Sequence, residues 1–329
     1  MGVLAGNRER SLLPIRAFDL ARDLPALAAL VEVSFESELS RTSSQIVAEM
    51  REMANWDLTL HVLSALGPPY RGLVWEEDGR VVGNVTMMRD RAGVWSLSNI
   101  AVLPAERGRG IGGALVDAAI ERLRALDARL VTLQVRPENA TAVGLYERRG
   151  FVAYDRVCEL VLQPDIGADA VKELPSGRLI RRPRRKDSPQ IVALLSAAMP
   201  ESARQIDLIR SDDWEQGTWR AWLRELNLGL KGQERIRLVA EIDSTLVGVA
   251  WATIRMLGTY HDVGLVATPG DQRGIERPLL RSLLAELANA PRRPAHATVS
   301  RSQPGALEAL EDSGFEELRD LDRMVLSLG

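Results

Sequence analysis

The sequence predicts a mixed α/β protein made of two tandem domains, each a twisted, mostly antiparallel sheet flanked by helices. Three observations carry that expectation. The 329-residue chain is longer than one domain usually runs, and either half suffices to bury a core of its own. The same punctuation returns at a spacing of 164 or 165 residues: Ile15-Arg16 as Ile180-Arg181, Asp23-Leu24-Pro25 as Asp187-Ser188-Pro189, Val82-Gly83 as Val247-Gly248, Arg109-Gly110-Ile111 as Arg273-Gly274-Ile275, and Gly150-Phe151 as Gly314-Phe315. One coincidence would mean little, whereas five in register indicate duplication. Within the first half, a hairpin signal precedes strand–helix–strand alternation, the order of a mixed sheet.

The elements follow in order. Leu12 to Arg16 reads as a first strand. Pro25 pre-sets a helical φ, so a helix is expected to start there, with Asp23 ahead of it and Leu27, Leu30 and Val31 among its apolar positions. Thr42 to Met53 is a second helix. Gly72 to Glu77 and Arg80 to Met88 flank Asp78-Gly79, a dipeptide suited to a tight hairpin turn. Val94 to Val102 is the next strand, and Gly110 to Leu126 is amphipathic, with Leu115, Ala119 and Leu123 at helical period. Val131, Leu133 and Val135 alternate with Thr132, Gln134 and Arg136, which is strand period. Asn139 to Arg149 is helical, and two short strands run on from Gly150 to Leu162. Pro164, Gly167, Pro175 and Gly177 mark a linker over 164–177, so the expected domains are 1–163 and 178–329.

Composition narrows the function. With 42 basic against 45 acidic residues there is no cationic excess to bind nucleic acid. The basic run Arg181 to Lys186 falls where the repeat puts the end of a first strand, and reads as a solvated corner. No stretch approaches the roughly 20 apolar residues of a membrane span, and the start has no signal-peptide run, so no membrane partner and a cytoplasmic location are expected. The single cysteine, Cys158, precludes an internal disulfide or a cysteine metal cluster, and His61, His261 and His296 lack ligand spacing, so no metal is expected. Trp214, Trp219 and Trp222 read as a packing face more than as a ligand-stacking box.

The most informative segment is Ile100 to Leu115, where a strand runs through a glycine-rich turn into a helix. Glycines there let backbone N–H groups converge on an anion, and the helix dipole adds positive potential. Arg107 and Arg109 add full charges, so a pyrophosphate is the expected guest. Gly108-x-Gly110-x-x-Gly113 also matches a dinucleotide fingerprint. That fingerprint wants its first glycine at the strand's end and an acid closing the next strand. Here Leu103 to Arg107 intervene, and the next strand closes on Arg136.

Two features point elsewhere: Arg107-x-x-Gly110-x-Gly112 after one strand, and Asn139-x-x-Ala142-x-x-Leu145-Tyr146-x-x-x-Gly150-Phe151 after the next. Together they resemble the GNAT superfamily of N-acetyltransferases, over about Val94 to Leu162, and the duplicated layout resembles its tandem-domain members of the mycothiol synthase type. The resemblance implies acetyl-coenzyme A as co-substrate and transfer of the acetyl group to a primary amine of a small molecule or peptide. It implies that Arg107, Gly108, Arg109, Gly110, Ile111, Gly112 and Gly113 hold the pyrophosphate, that Ile100, Ala101 and Val102 pair with the pantetheine arm, and that Asn139 contacts it. Tyr146 would protonate the departing thiolate, against the alternative of a packed helix aromatic. Some relatives place a base where this chain has Ser96, and others where it has Gln134; neither residue can act as one, so a water chain lined by Ser96, Ser98 and Gln134 is expected. A non-catalytic acyl-coenzyme A sensor is the competing reading, and the protein is expected to be a monomer or homodimer. In the second half Asp271 and Glu276 replace Arg107 and Gly112, Gln303 replaces Asn139 and Leu310 replaces Tyr146, so that half is expected to bind no coenzyme A. Acceptor contacts are expected around Phe35 to Ser43, with Glu36 and Glu38 able to attract a cation.

Overall fold

A computed structural model describes residues 14–35, 70–164, 178–207, 232–256, 259–268 and 274–329, together with Trp214, Leu226 and Leu228. The helix expected over Thr42 to Met53, Glu36 and Glu38, His61, most of the linker, Trp219, Trp222 and Asp271 lie outside the described residues. The chain groups into two compact units. One comprises Met1–Gln134, Thr141–Val152 and Met324–Gly329; the other comprises Val135–Ala140 and Ala153–Arg323. Strand β6 (Val152–Leu162) of the first repeat thus groups largely with the second unit, while of the last strand (Glu316–Ser327) only the end from Met324 groups with the first.

The first unit runs β1 (Ile15–Ala17), α1 (Leu20–Phe35), β2 (Tyr70–Glu77), β3 (Arg80–Arg91), β4 (Val94–Val102), a 3-10 turn (Pro104–Glu106), α2 (Ile111–Arg124), β5 (Leu130–Val135) and α3 (Ala140–Glu147). Its strands lie in the order β1-β2-β3-β4-β5, antiparallel except for the parallel pair β4–β5. Asp78 (φ 49°) and Gly79 (φ 77°) turn the β2–β3 hairpin as their sequence implies. Helix α1 starts at Leu20 and contains Pro25, which corrects the expected start. The cause is local: Asp19 Oδ1 accepts from Arg22 N (3.1 Å) and Asp19 O from Asp23 N (2.8 Å), so the first turn closes before the proline. The apolar face of α2, including Ile111, Leu115, Ala119 and Leu123, is buried. Gly83 lets it approach the sheet, because a Cβ there would stand 3.1 Å from both Ile111 and Leu115.

The second unit carries β6 (Val152–Leu162, its first residue counted with the other unit), β7 (Arg178–Arg181), α4 (Ser188–Ala198), α5 (Glu201–Arg204), β8 (Gln233–Ile242), β9 (Thr245–Arg255), β10 (His261–Ala267), α6 (Glu276–Leu287), β11 (Ala295–Ser300), α7 (Pro304–Asp312) and β12 (Glu316–Ser327). Its order is β12-β6-β11-β10-β9-β8-β7. Strand β6 is one continuous strand where two short ones were expected. Cys158 is a packed thiol that burial pushes up to about 12, and His261 is fixed by Arg255 N (3.2 Å) and Pro291 O (2.8 Å). Both are structural.

The duplication reaches the side chains. Arg16 binds Asp23 (2.6 Å) and Glu76 (2.5 Å), and at matching places Arg181 binds Asp187 (2.6 Å) and Glu241 (2.6 Å). In each, an arginine on the first strand ties the following helix to the hairpin. Burial alone would raise the Asp23 and Asp187 carboxyls, yet their arginine partners hold both below the usual range.

Candidate active site

The site begins with a break in β4. Asn84 pairs with Ala101 and Thr86 with Ser98, so Val85 faces two residues, Asn99 and Ile100. Asn99 adopts φ 49°, a conformation asparagine tolerates better than most side chains. Alongside, the β4–β5 ladder runs from Val94–Leu130 to Leu97–Leu133, and no further register pair joins the two strands among the described residues. Beyond the bulge, Ser98 to Val102 therefore present a strand edge on the β5 side, where an extended chain can add.

The glycine turn lies at the end of that edge. Gly108 and Gly110 both have φ 80°, and Gly110 caps α2 with no side-chain hydrogen bond. Ala114 N donates to Gly110 O (3.0 Å), so the amides of Ile111, Gly112 and Gly113 precede the helical ladder and lack intrahelical acceptors. A Cβ on Gly112 would meet only Val102 and Leu145, at 3.6 and 3.9 Å, so the protein itself leaves room that a side chain would fill. Gly113 differs: its missing Cβ gives way to the Arg149 guanidinium, which binds Asp117 (2.6 and 2.8 Å) and Leu145 O (2.9 Å) and ties α2 to the end of α3. Both arginines have partners within the protein. Arg109 binds Glu77 through both nitrogens (2.9 Å each) and also Glu106. Arg107 folds back so that its Nε donates to Val102 O (3.2 Å).

Tyr146, on α3, is 6% exposed and packs edge-on against Phe151 with ring centroids 6.0 Å apart. Burial pushes its hydroxyl up to about 12, despite the opposing charge of Arg149. Asn139 ends the turn before α3, its N–H donating to Arg136 O (3.0 Å), and belongs to the short segment grouped with the second unit.

The two faces of β3–β4–β5 differ in chemistry. Val85, Met87, Leu97, Val131 and Leu133 share one buried apolar face with Gly83, toward α2. Alternate residues Asn84, Thr86, Ser96, Ser98, Thr132 and Gln134 share the other with Met88, Val94 and Ala101. Asn84 is 2% exposed, and neither its amide nitrogen nor its carbonyl oxygen has a hydrogen-bond partner. Ser96 Oγ donates to Asp90 Oδ1 (3.0 Å), on β3. The sequence reading missed Asn84 and Asp90. The repeat itself held the signal for Asn84, since the matching places in the second unit are Val249 and, for Thr86, Trp251.

The second unit keeps the frame and fills it. Its β9–β10 ladder runs unbroken from Thr253–Asp262 to Gly248–Ala267, without a bulge. The face matching the polar row is a core of Ile191, Leu195, Val249 and Val266 against which Trp251 packs, its indole lying across Gly264 and edge-on to Trp214 (5.6 Å). Glu276, at the start of α6, places a carboxylate oxygen 2.7 Å from where a Cβ on Gly305 would lie, and Leu310 is fully buried.

Known structures share this tandem architecture. A GCN5-related N-acetyltransferase from Sphaerobacter thermophilus matches with a TM-score of 0.65 at 18% identity, covering 95% of this chain and 96% of that one. A tandem GNAT protein from the clavulanic acid biosynthesis pathway matches at 0.60 and 18%, covering 96% and 99%. The fold is therefore that of a tandem GNAT protein. The acetyltransferase (GNAT) family model matches residues 30–151, and the uncharacterized N-acetyltransferase YjgM of Escherichia coli is 30% identical over 138 residues, 41% of this chain and 79% of its own length. The chain belongs to the GNAT family. A mycothiol acetyltransferase of Geodermatophilus obscurus is 32% identical over 123 residues, 35% of this chain. The chain spans about half or less of the first curated relatives it matches, 51%, 28% and 40% of their lengths.

Proposed function

We propose that the first unit transfers the acetyl group of acetyl-coenzyme A to a primary amine of a small molecule or peptide. The observation that carries this is the bulged edge of β4 beside a helix start that leaves room at Gly112, where the second unit has an unbroken β9–β10 ladder and Glu276. Amides of Ile111, Gly112 and Gly113 and the α2 dipole suit a diphosphate. The edge of Ile100, Ala101 and Val102 suits the amide-bearing arm. Bound acetyl-coenzyme A supplies an electrophilic thioester carbonyl and a thiolate leaving group. A β4 main-chain N–H past the bulge meets the oxyanion.

Tyr146 meets the departing sulfur. With its hydroxyl near 12 and a thiol near 8.5, handing over the proton outright would be uphill by ~5 kcal/mol. The phenol therefore stabilises the thiolate as a hydrogen-bond donor, and solvent completes protonation. The relatives named as mycothiol acetyltransferases and as [ribosomal protein bS18]-alanine N-acetyltransferases support an amine acceptor class without choosing within it. Calorimetry with coenzyme A and with NAD, followed by thiol-release assays over spermidine, glucosamine, lysine and an alanine-first peptide, tests the reading. Tyr146→Phe should lower kcat and keep coenzyme A affinity. Binding of NAD in place of coenzyme A refutes the site, and binding without turnover of any amine supports an acyl-coenzyme A sensor.

A further inference from the structure

We infer that Asp90 and Ser96 form the proton exit for the acceptor amine, a pair that rests on the acetyltransferase reading of this same face. An alkylamine with pKa near 10.4 is only about one part in 10³ neutral at pH 7, so attack needs a path for one proton. The polar face of β3–β4–β5 is where such a path can run, because its other face is closed apolar core. Many described carboxylates of the first unit are held in ion pairs, and Asp90 too has a partner besides Ser96. Arg16 holds Asp23, Arg16 and Arg22 hold Glu76, Arg109 holds Glu77 and Glu106, and Arg149 holds Asp117. Asp19 caps α1, Asp78 and Asp127 sit in left-handed turn positions, and Glu121 and Glu147 stand on exposed helix surface. Among the described residues, Asp90 is the carboxylate that accepts a hydrogen bond from a hydroxyl of the polar row, at 3.0 Å from Ser96 Oγ.

The geometry assigns each group a step. Ser96 lies four residues before Ile100 on β4, a span of about 13 Å of strand, with Ser98 between them on the same face. Water lined by Ser98 carries the ammonium proton to Ser96 Oγ. Ser96 passes its own hydrogen to Asp90 Oδ1, so the amine becomes neutral, the hydroxyl is regenerated and the carboxylate becomes a carboxylic acid. Asp90 is exposed, so it returns the proton to bulk solvent. Ser96 is the group that meets the water chain, and Asp90 acts through it. The charged groups of this corner are Arg89 and Arg91 on β3, Arg71 on β2, and Arg129, whose guanidinium lies against Gly93; Tyr70 is in register with Met88.

The test is the pH profile of kcat/KM for Asp90→Asn beside the unaltered chain, using acetyl-coenzyme A and the fastest amine of the panel above. Asparagine can still accept from Ser96, so the fold is kept, and coenzyme A affinity by calorimetry should be unchanged. We expect a loss of about 10²-fold at pH 7 that shrinks steadily to within about threefold near pH 11, where the amine is largely neutral already. Ser96→Ala should match it, and the double variant should lose little more, because both act in one path. A loss that is flat with pH, or singles whose losses multiply, overturns the relay while leaving acetyl transfer standing. No thiol release from the unaltered chain with any amine overturns the acetyltransferase reading, and the relay with it.

Discussion

Asn84 sits at an inward-facing place on β3, between Val74 of β2 and Ala101 of β4, with both polar atoms of its amide buried and unmatched. A buried amide without partners costs about 1–3 kcal/mol relative to one that keeps its hydrogen bonds. The second unit shows what the frame accepts there, since the matching Val249 is fully buried in a core. Asn84→Val should therefore stabilise the protein by about 1–3 kcal/mol, and since each kcal/mol is worth about 2–4 °C in a unit of this size, Tm should rise by roughly 2–12 °C. Urea titration with an unchanged m-value would confirm that stability, not the denatured state, has moved. If the amide is kept for a ligand, the gain in Tm comes with a loss of kcat/KM for acetyl transfer. A fall in Tm refutes the reasoning, because it would mean that Asn84 is satisfied in the folded protein.

Three further predictions follow from the same geometry. Gly112→Glu copies Glu276 into the first unit; the N-terminal turn of α2 accepts an acid, so the protein should fold, while calorimetry should find coenzyme A binding weakened by at least about 10²-fold. Deleting Met324–Gly329 removes Leu326, which packs on Gly150, and the bond from Leu328 N to Arg129 O (2.9 Å), so hydrogen exchange should rise across β5 and α3 before it rises in β8 and β9. The lowered carboxyls of Asp23 and Asp187 contribute stability above their unfolded pKa near 3.9, and that contribution is lost as pH falls through the lower folded values; Asp23→Asn should flatten this acid limb in melts taken from about pH 5 downward.

What the sequence made legible is what chain-local chemistry decides. Asp78-Gly79 can only turn tightly, the run from Val94 ends at Val102, and the glycine turn opens α2 one residue from where the pattern puts it. The errors arise where a distant partner decides. Pro25 is a good helix starter, but Asp19 closes an earlier turn. The partner of Arg109, Glu77, stands 32 positions away and has no mark beside it in the chain. The bulge at Asn99 exists only in the register of β3 on β4, and the Asp90–Ser96 bond depends on where that hairpin ends. Neither has a signature in its own strand.

The two units also separate what the site requires from what the frame merely inherits. Gly274 keeps a left-handed backbone (φ 61°) before α6, so a glycine-led helix start survives in the second unit. The second unit lacks the bulge; it carries an acid of its own at the start of α6, where the first unit leaves room beside Gly112; and it lines the opposite face with Trp251 and Val249 in place of Thr86 and Asn84. The last of these changes closes a face remote from the pyrophosphate turn. A unit that had lost only its diphosphate grip would have no reason to exchange a polar row for packed core, unless that row is itself kept polar by what it binds. The acceptor, on this argument, meets hydroxyls and an amide across β3 and β4 of the first unit, and its chemistry should be sought among amines that carry hydrogen-bonding groups of their own.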